Sequence, residues 1–158
     1  MSQIVCDIVE VCVFARTETN DTHYLLLRRS LSEKIYPDIW QIVSGGIERE
    51  QNETALAAAL RELKEETGLK PLRFWNLPYL NTFLDARKDI VHHAPVFVAE
   101  VLFDSTPALS EEHYRFEWCT LERAKELLVW PGQIRALNIV HEYIVNNKKA
   151  AEFSEIII

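Results

Sequence analysis

The stretch Arg61-Glu62-Leu63-Lys64-Glu65-Glu66-Thr67-Gly68-Leu69 sets three carboxylates at i, i+3 and i+4 just before a glycine, the signature of a helix about to stop. At about 100° per residue, Glu66 lies roughly 40° to one side of Glu62 and Glu65 roughly 60° to the other, while Leu56, Leu60 and Leu63 fall on a different face. One face packs and the other concentrates negative charge. Like charges at these spacings weaken an isolated helix, and the macrodipole disfavours them in its last turn. With Lys64 and Arg61 beside them they could still form an ordinary solvated stripe. Against that, the spaced set Arg-Glu-x-x-Glu-Glu-x-Gly should arise by chance on the order of once in ten thousand chains of this length. An all-oxygen ligand set suits a hard divalent cation, Mg²⁺ foremost and Mn²⁺ next, far better than zinc.

The remaining composition narrows the class. A chain of 158 residues, 48% apolar and 26% charged, with no repeat or low-complexity segment, is expected to form one domain over residues 1–158. A net charge of −7 argues against nucleic acid as a partner but leaves room for a small phosphorylated substrate, whose approach to the acidic arc would need metal ions to reverse the local potential. Cys6, Cys12 and Cys119 show no ligand spacing and read as buried free thiols in a reducing compartment. No basic leader precedes a long apolar run, and no stretch approaches the roughly 20 apolar residues of a membrane span, so a cytoplasmic location away from membranes is expected.

Glycine is scarce, and each of the four punctuates: Gly45 and Gly46 before the acidic helix, Gly68 after it, Gly132 beside Pro131. Strands are predicted over Ile4–Ala15, His23–Arg29, Ile39–Ser44, Leu72–Leu84, His92–Phe103 and Tyr114–Thr120. Helices are predicted over Glu53–Thr67, capped by Asn52, and over Leu121–Leu128 and Gln133–Asn146. That alternation implies α/β architecture with a mixed sheet covered on both faces.

Ser44-Gly45-Gly46-Ile47-Glu48, Glu53 and Arg61 to Leu69 together closely resemble the Nudix box of the Nudix hydrolases, Gx5Ex7REUxEExGU with U aliphatic. The part from Glu53 onward matches at every specified position, whereas the loop between the glycines and Glu53 is one or two residues longer than the pattern. The resemblance implies an α/β/α sandwich around a mixed central sheet. It implies metal ligation by Glu62, Glu65 and Glu66, contact of Gly45 and Gly46 with the substrate, and an Arg61–Glu53 pair that braces the loop rather than touching substrate.

The phrase Trp-Gln-Ile-Val-Ser-Gly from Trp40, and Glu111-Glu112-His113 ahead of a strand with Trp118, resemble a Nudix subgroup acting on dihydroneopterin triphosphate or dATP-like nucleotides. That match makes Glu112 a fourth metal ligand, with Glu111 in reserve, and makes Glu65 or Glu112 the acceptor of the attacking water's proton. Arg28 and Arg29 end a strand near the site, and alternation lets one of them turn inward toward phosphate. Phe74, Trp75 and Tyr79 read as core before ring-stacking residues, and His92 and His93 as strand residues before substrate contacts.

The implied activity is Mg²⁺-dependent pyrophosphohydrolysis of a nucleoside or pterin triphosphate, or of a nucleoside diphosphate linked to a further group. The alternatives are an ADP-ribose or dinucleotide pyrophosphatase and, from another class, a non-catalytic nucleotide sensor. The apolar Ile156-Ile157-Ile158 end points equally to a homodimer contact or to cover for the chain's own sheet edge.

Overall fold

The apolar run near the N-terminus builds two strands rather than one, β1 (Gln3–Val5) and β2 (Ile8–Arg16), in a computed structural model that describes all residues from Met1 to Ile158. The run breaks at Cys6 and Asp7 because a later loop takes their carbonyls. The Arg49 guanidinium donates to the Cys6 oxygen at 2.7 and 3.2 Å, and the Ile47 amide donates to the Asp7 oxygen at 2.8 Å. The break exposes Cys6, so only Cys12 and Cys119 are the buried thiols expected; all three are free.

The sheet then divides. β3 (Thr22–Arg29) runs antiparallel to β2 only where Thr22–Tyr24 face Phe14–Arg16. Beyond that point β3 pairs with β4 (Trp40–Gln41) on one side and β8 (His113–Cys119) on the other. The vacated edge of β2 is taken by β5 (Val43–Gly46), so that Val9 faces Gly45 and Ile8 faces Gly46. This division seats the glycine pair against the sheet at the foot of the acidic helix, α1 (Ala55–Thr67). β6 (Arg73–Asp85) and β7 (Ile90–Glu100) form a long hairpin, and β7 runs parallel to β2, which makes the sheet mixed.

Alternation along β2 and β3 sorts two cores. Val9, Val11, Val13, Leu25 and Leu27 pack with Ala58, Ala59 and Leu63 of α1. Cys12, Phe14, Tyr24 and Leu26 pack on the other face against α2 (Leu121–Leu127), α3 (Pro131–Ile139) and its π-helical continuation Val140–Val145. The architecture is therefore the α/β/α sandwich expected. Phe74 and Trp75 are fully buried core residues. His92 bonds Asp7 at 2.7 Å and stacks on Phe83, and His93 bonds Thr82 at 3.0 Å.

Several boundaries differ from expectation. α1 is capped by Thr54, whose hydroxyl accepts from the Ala57 amide at 3.1 Å, and not by Asn52. Asn52 instead takes a left-handed conformation (φ 58°) that ends a 3₁₀ turn over Arg49–Gln51. The predicted strand Ile39–Ser44 is interrupted at Ile42, where the chain passes from β3's edge to β2's. The helix predicted from Gln133 starts at Pro131, whose missing N–H suits a first turn. The unpredicted α4 (Lys148–Ser154) carries the chain to β9 (Glu155–Ile156), which pairs with Phe74 and Trp75. The apolar tail thus begins by covering its own sheet edge. No helix is long and apolar enough to cross a membrane.

Candidate functional site

α1 does not present its carboxylates as one exposed arc. Glu62 and Glu66 turn toward the sheet and are 8% and 2% exposed, while the Glu65 side chain is 57% exposed. Glu62 occupies the space a Cβ would need at Gly45, so the glycine is required for the carboxylate to sit against β5.

Arg61 organises the approach to this point. Its guanidinium donates to both Glu53 oxygens (2.8 and 3.0 Å), to Glu62 (2.7 Å), to Glu65 (3.1 Å) and to the Gly46 carbonyl (2.8 Å). Glu53 also accepts the Glu48 amide at 2.8 Å. Arg61 first and that amide second hold the Glu53 carboxyl down to about 2. Between these anchors the lengthened loop forms the 3₁₀ turn over Arg49–Gln51, and the Glu53–Arg61 clasp is intact.

Glu66 is the unsatisfied member. Burial, then the charges of Glu112 and Glu62, push its carboxyl up to about 9, with only partial relief from the Ser44 amide and Arg29. Neither of its oxygens has a well-formed hydrogen bond. Glu62 is likewise raised by burial, tempered by Arg61. Glu112 reaches this neighbourhood because Ser30 at the end of β3 holds its loop: the Ser30 amide donates to the Glu112 carbonyl (2.8 Å) and the hydroxyl to that of Glu111 (2.7 Å). It is Glu112, not Glu111, whose charge bears on Glu62 and Glu66.

No three of these carboxylates converge into a preassembled cation nest. The physical reason is Arg61, which draws Glu62 and Glu65 toward itself. The donor set still fits a hard divalent cation: it is all oxygen, and it includes two orphaned carboxylate oxygens of Glu66 in a low-dielectric setting.

Alternation separates the two arginines. Arg29 shares the face of Leu25, Leu27 and α1; its charge lowers Glu66, and its guanidinium donates to Glu33 (3.0 Å) and the Ile35 carbonyl (3.2 Å). Arg28 lies on the other face, paired with Asp38 at 2.8 Å and set over the Trp40 and Tyr114 rings. Only Arg29 is brought to the acidic group.

Two residues that the sequence motifs contained but to which sequence reasoning gave no role, Gln41 and His113, stand on the same face. His113, 3% exposed, holds Nδ1 4.0 Å from Glu66 Oε2, and its Nε2 accepts from the Gln41 amide at 2.8 Å. Burial and then Arg29 bring its imidazole down to about 4. Pairing with Leu27 and Arg29 of β3 turns both to the face that α1 covers, and for His113 this depends on a register irregularity of β8 at Tyr114, without which alternation from Phe116 would turn it to the opposite face; no local sequence signal announced it.

The far face holds a buried carboxylate of its own. Glu10 of β2 accepts from the Asn81 amide and from Gln133 (2.9 Å), and Gly132 leaves room for the Asn81 side chain.

The sequence profile of the NUDIX domain matches residues 8–141. Among curated proteins, the chain is 29% identical over 156 residues to an m7GpppN-mRNA hydrolase, NUDT17, of Xenopus laevis, covering 84% of this chain and 52% of that one. It is 26% identical to the nucleoside triphosphatase NudI of Klebsiella pneumoniae, covering 77% of this chain and 84% of the relative. The chain thus spans about half the length of the first of these relatives and most of the second. The crystal structure of a NUDIX hydrolase from Listeria monocytogenes shares the fold with a TM-score of 0.74 at 29% identity, over 90% of this chain and 97% of that one.

Proposed function

The chain belongs to the NUDIX domain family, and from that premise we propose that it is a divalent-metal-dependent hydrolase of phosphoanhydride bonds in nucleotide-type substrates. The observation that carries this reading is Glu66, a buried carboxylate without a well-formed hydrogen bond and with two acidic neighbours, Glu62 and Glu112. A carboxylate so placed is costly to the fold unless a cation completes it.

Glu62, Glu66 and Glu112, with Glu65 at the rim, would hold Mg²⁺ or Mn²⁺. When bound, the metal neutralises charge on the diphosphate and lowers the pKa of a bound water. Glu65, exposed, or Glu112, on its loop, accepts the proton of the attacking water. Gly45 leaves Glu62 its place against β5, since a side chain there would displace the carboxylate, and the Gly45–Gly46 backbone would meet the diphosphate. Arg29 supplies positive charge beside the acids, and the Arg61–Glu53 clasp fixes the loop without touching substrate.

The ring end of the substrate is best met on the other side of the sheet edge. There Tyr36 and Trp130, both open to solvent, pair edge to face at 4.9 Å, and Arg28 stacks on Trp40 and Tyr114. An aromatic and cationic ledge of this kind favours a purine or pterin ring, which supports a nucleoside or pterin triphosphate as substrate.

Release of pyrophosphate or monophosphate from a panel of nucleoside triphosphates, pterin triphosphates, ADP-ribose, capped and dinucleotide substrates with Mg²⁺ tests both levels. Turnover of a triphosphate is expected. Preference for ADP-ribose or a dinucleotide would move the substrate class, and tight binding without turnover would make the chain a sensor.

A further inference from the structure

Two buried polar atoms without partners face one another: His113 Nδ1 and Glu66 Oε2, 4.0 Å apart. The two side chains are 0% and 2% exposed, so bulk water completes neither. Leaving such an atom unpaired is costly to a fold, and here two are left in the same place. The opposite edge of the imidazole explains how they are aimed. The Gln41 amide nitrogen sits 2.8 Å from His113 Nε2, and an NH₂ group has only protons to offer. Nε2 is therefore the acceptor, and the one proton of the neutral ring stands on Nδ1, toward Glu66. The backbone enforces this: Gln41 on β4 and His113 on β8 pair directly with Leu27 and Arg29 of β3, on the face that α1 covers.

We propose that Gln41 and His113 are a positioning pair for Glu66, in which Gln41 sets the imidazole tautomer and the Nδ1–H fixes the Oε2 edge of the carboxylate, turning Oε1 to the cation. The proposal rests on Glu66 being a metal ligand. A neutral N–H suits the task better than a lysine or arginine would, because it orients the carboxylate without repelling the incoming cation. Closing the gap from 4.0 Å to a hydrogen bond takes a shift of about 1 Å, of the order by which such contacts tighten when an apo site is filled.

The first test needs no metal. Long-range ¹⁵N–¹H spectra of the histidine rings should show His113 as the Nδ1–H tautomer in the metal-free protein and a mixture in Gln41→Leu; an Nε2–H ring in the wild type overturns the proposal. The second is a calorimetric Mg²⁺ titration. His113→Asn keeps an amide N–H near the Nδ1 position and should retain most of the affinity. His113→Gln places it at the Nε2 end and should lose roughly ten- to hundredfold, with kcat recovering at saturating Mg²⁺.

Equal affinities for the two variants overturn the pairing alone. A wild-type protein that binds no Mg²⁺ overturns the metal-site reading and the proposal with it. Should the His113 variants not fold, Gln41→Leu carries the affinity test: an unchanged Mg²⁺ affinity there also overturns the proposal.

Discussion

Glu66 and Glu10 are both buried acids on opposite faces of one sheet, and they are treated in opposite ways. Glu10 has an amide donor on each oxygen, from Asn81 and Gln133, so its lost hydration is replaced from within the chain. Burial still raises its carboxyl, and those two bonds hold it back. Glu66 has no side-chain amide on either oxygen, and the charges of Glu112 and Glu62 outweigh the partial relief from the Ser44 amide and Arg29. A carboxylate kept for the fold is satisfied by the fold; one kept for a ligand is left incomplete.

That contrast can be broken most sharply by removing the charge. Glu66→Gln should cut turnover a hundredfold or more, about 3 kcal/mol at the transition state, while the protein stays folded; Glu65→Gln should do the same. Steady-state kinetics with circular dichroism checks both, and near-normal activity in the two variants would remove the site assignment.

Glu10→Gln should show the reverse. One of its two donors then meets an N–H, which costs the fold about 1–3 kcal/mol and lowers the melting temperature by several degrees. Activity per folded molecule should change little. A large loss of kcat in fully folded Glu10→Gln would instead bring the far face into the chemistry.

A smaller effect concerns pH. The Glu66 carboxyl is raised from 4.5 to about 9 in the metal-free protein, so the folded state keeps a proton that the unfolded state has lost. Stability then falls as pH rises through that interval. His113, lowered from 6.5 to about 4, contributes the opposite slope below 6.5, so the clean window is about pH 6.5 to 8. Glu10 adds a decline of the same sign as Glu66, which makes the diagnostic the part that Glu66→Gln removes. Thermal melts across the window should show that part vanish in Glu66→Gln and in wild type saturated with Mg²⁺. Metal binding at pH 7 should correspondingly release protons, measurable by calorimetry in buffers of different ionisation enthalpy.

The smallest effect is expected at the tail. Deleting residues 155–158 removes the β9 pairing and the Arg73–Glu155 ion pair (2.7 Å), an exposed contact worth about 1 kcal/mol or less. A slight drop in melting temperature with unchanged mass in light scattering is expected; a halved mass would make the tail a dimer contact.

Much of this protein was legible in one dimension because its determinants are local. The spacing Arg61-Glu62-Leu63-Lys64-Glu65-Glu66 specified a helix with an apolar and an acidic side, and Gly68 marked its end. The glycine pair before it and the match from Glu53 to Leu69 pointed to the family and to the sandwich. Short-range periodicity also marked most strands, missing mainly where the chain's own loops intervene, as at Cys6 and Asp7.

Pairing between distant strands decided the rest. Period-2 alternation could say that Arg28 and Arg29 part company, but only the register of β3 showed that Arg29 faces α1. Nothing in Gln41 or His113 announces a role until β4 and β8 flank the same strand. Glu66 and Glu10 are alike as letters; which of them meets amide donors depends on Asn81 and Gln133, 71 and 123 residues away from Glu10 along the chain. The helix and its charge are properties of neighbours in sequence, whereas the satisfaction of a buried charge is a property of neighbours in space.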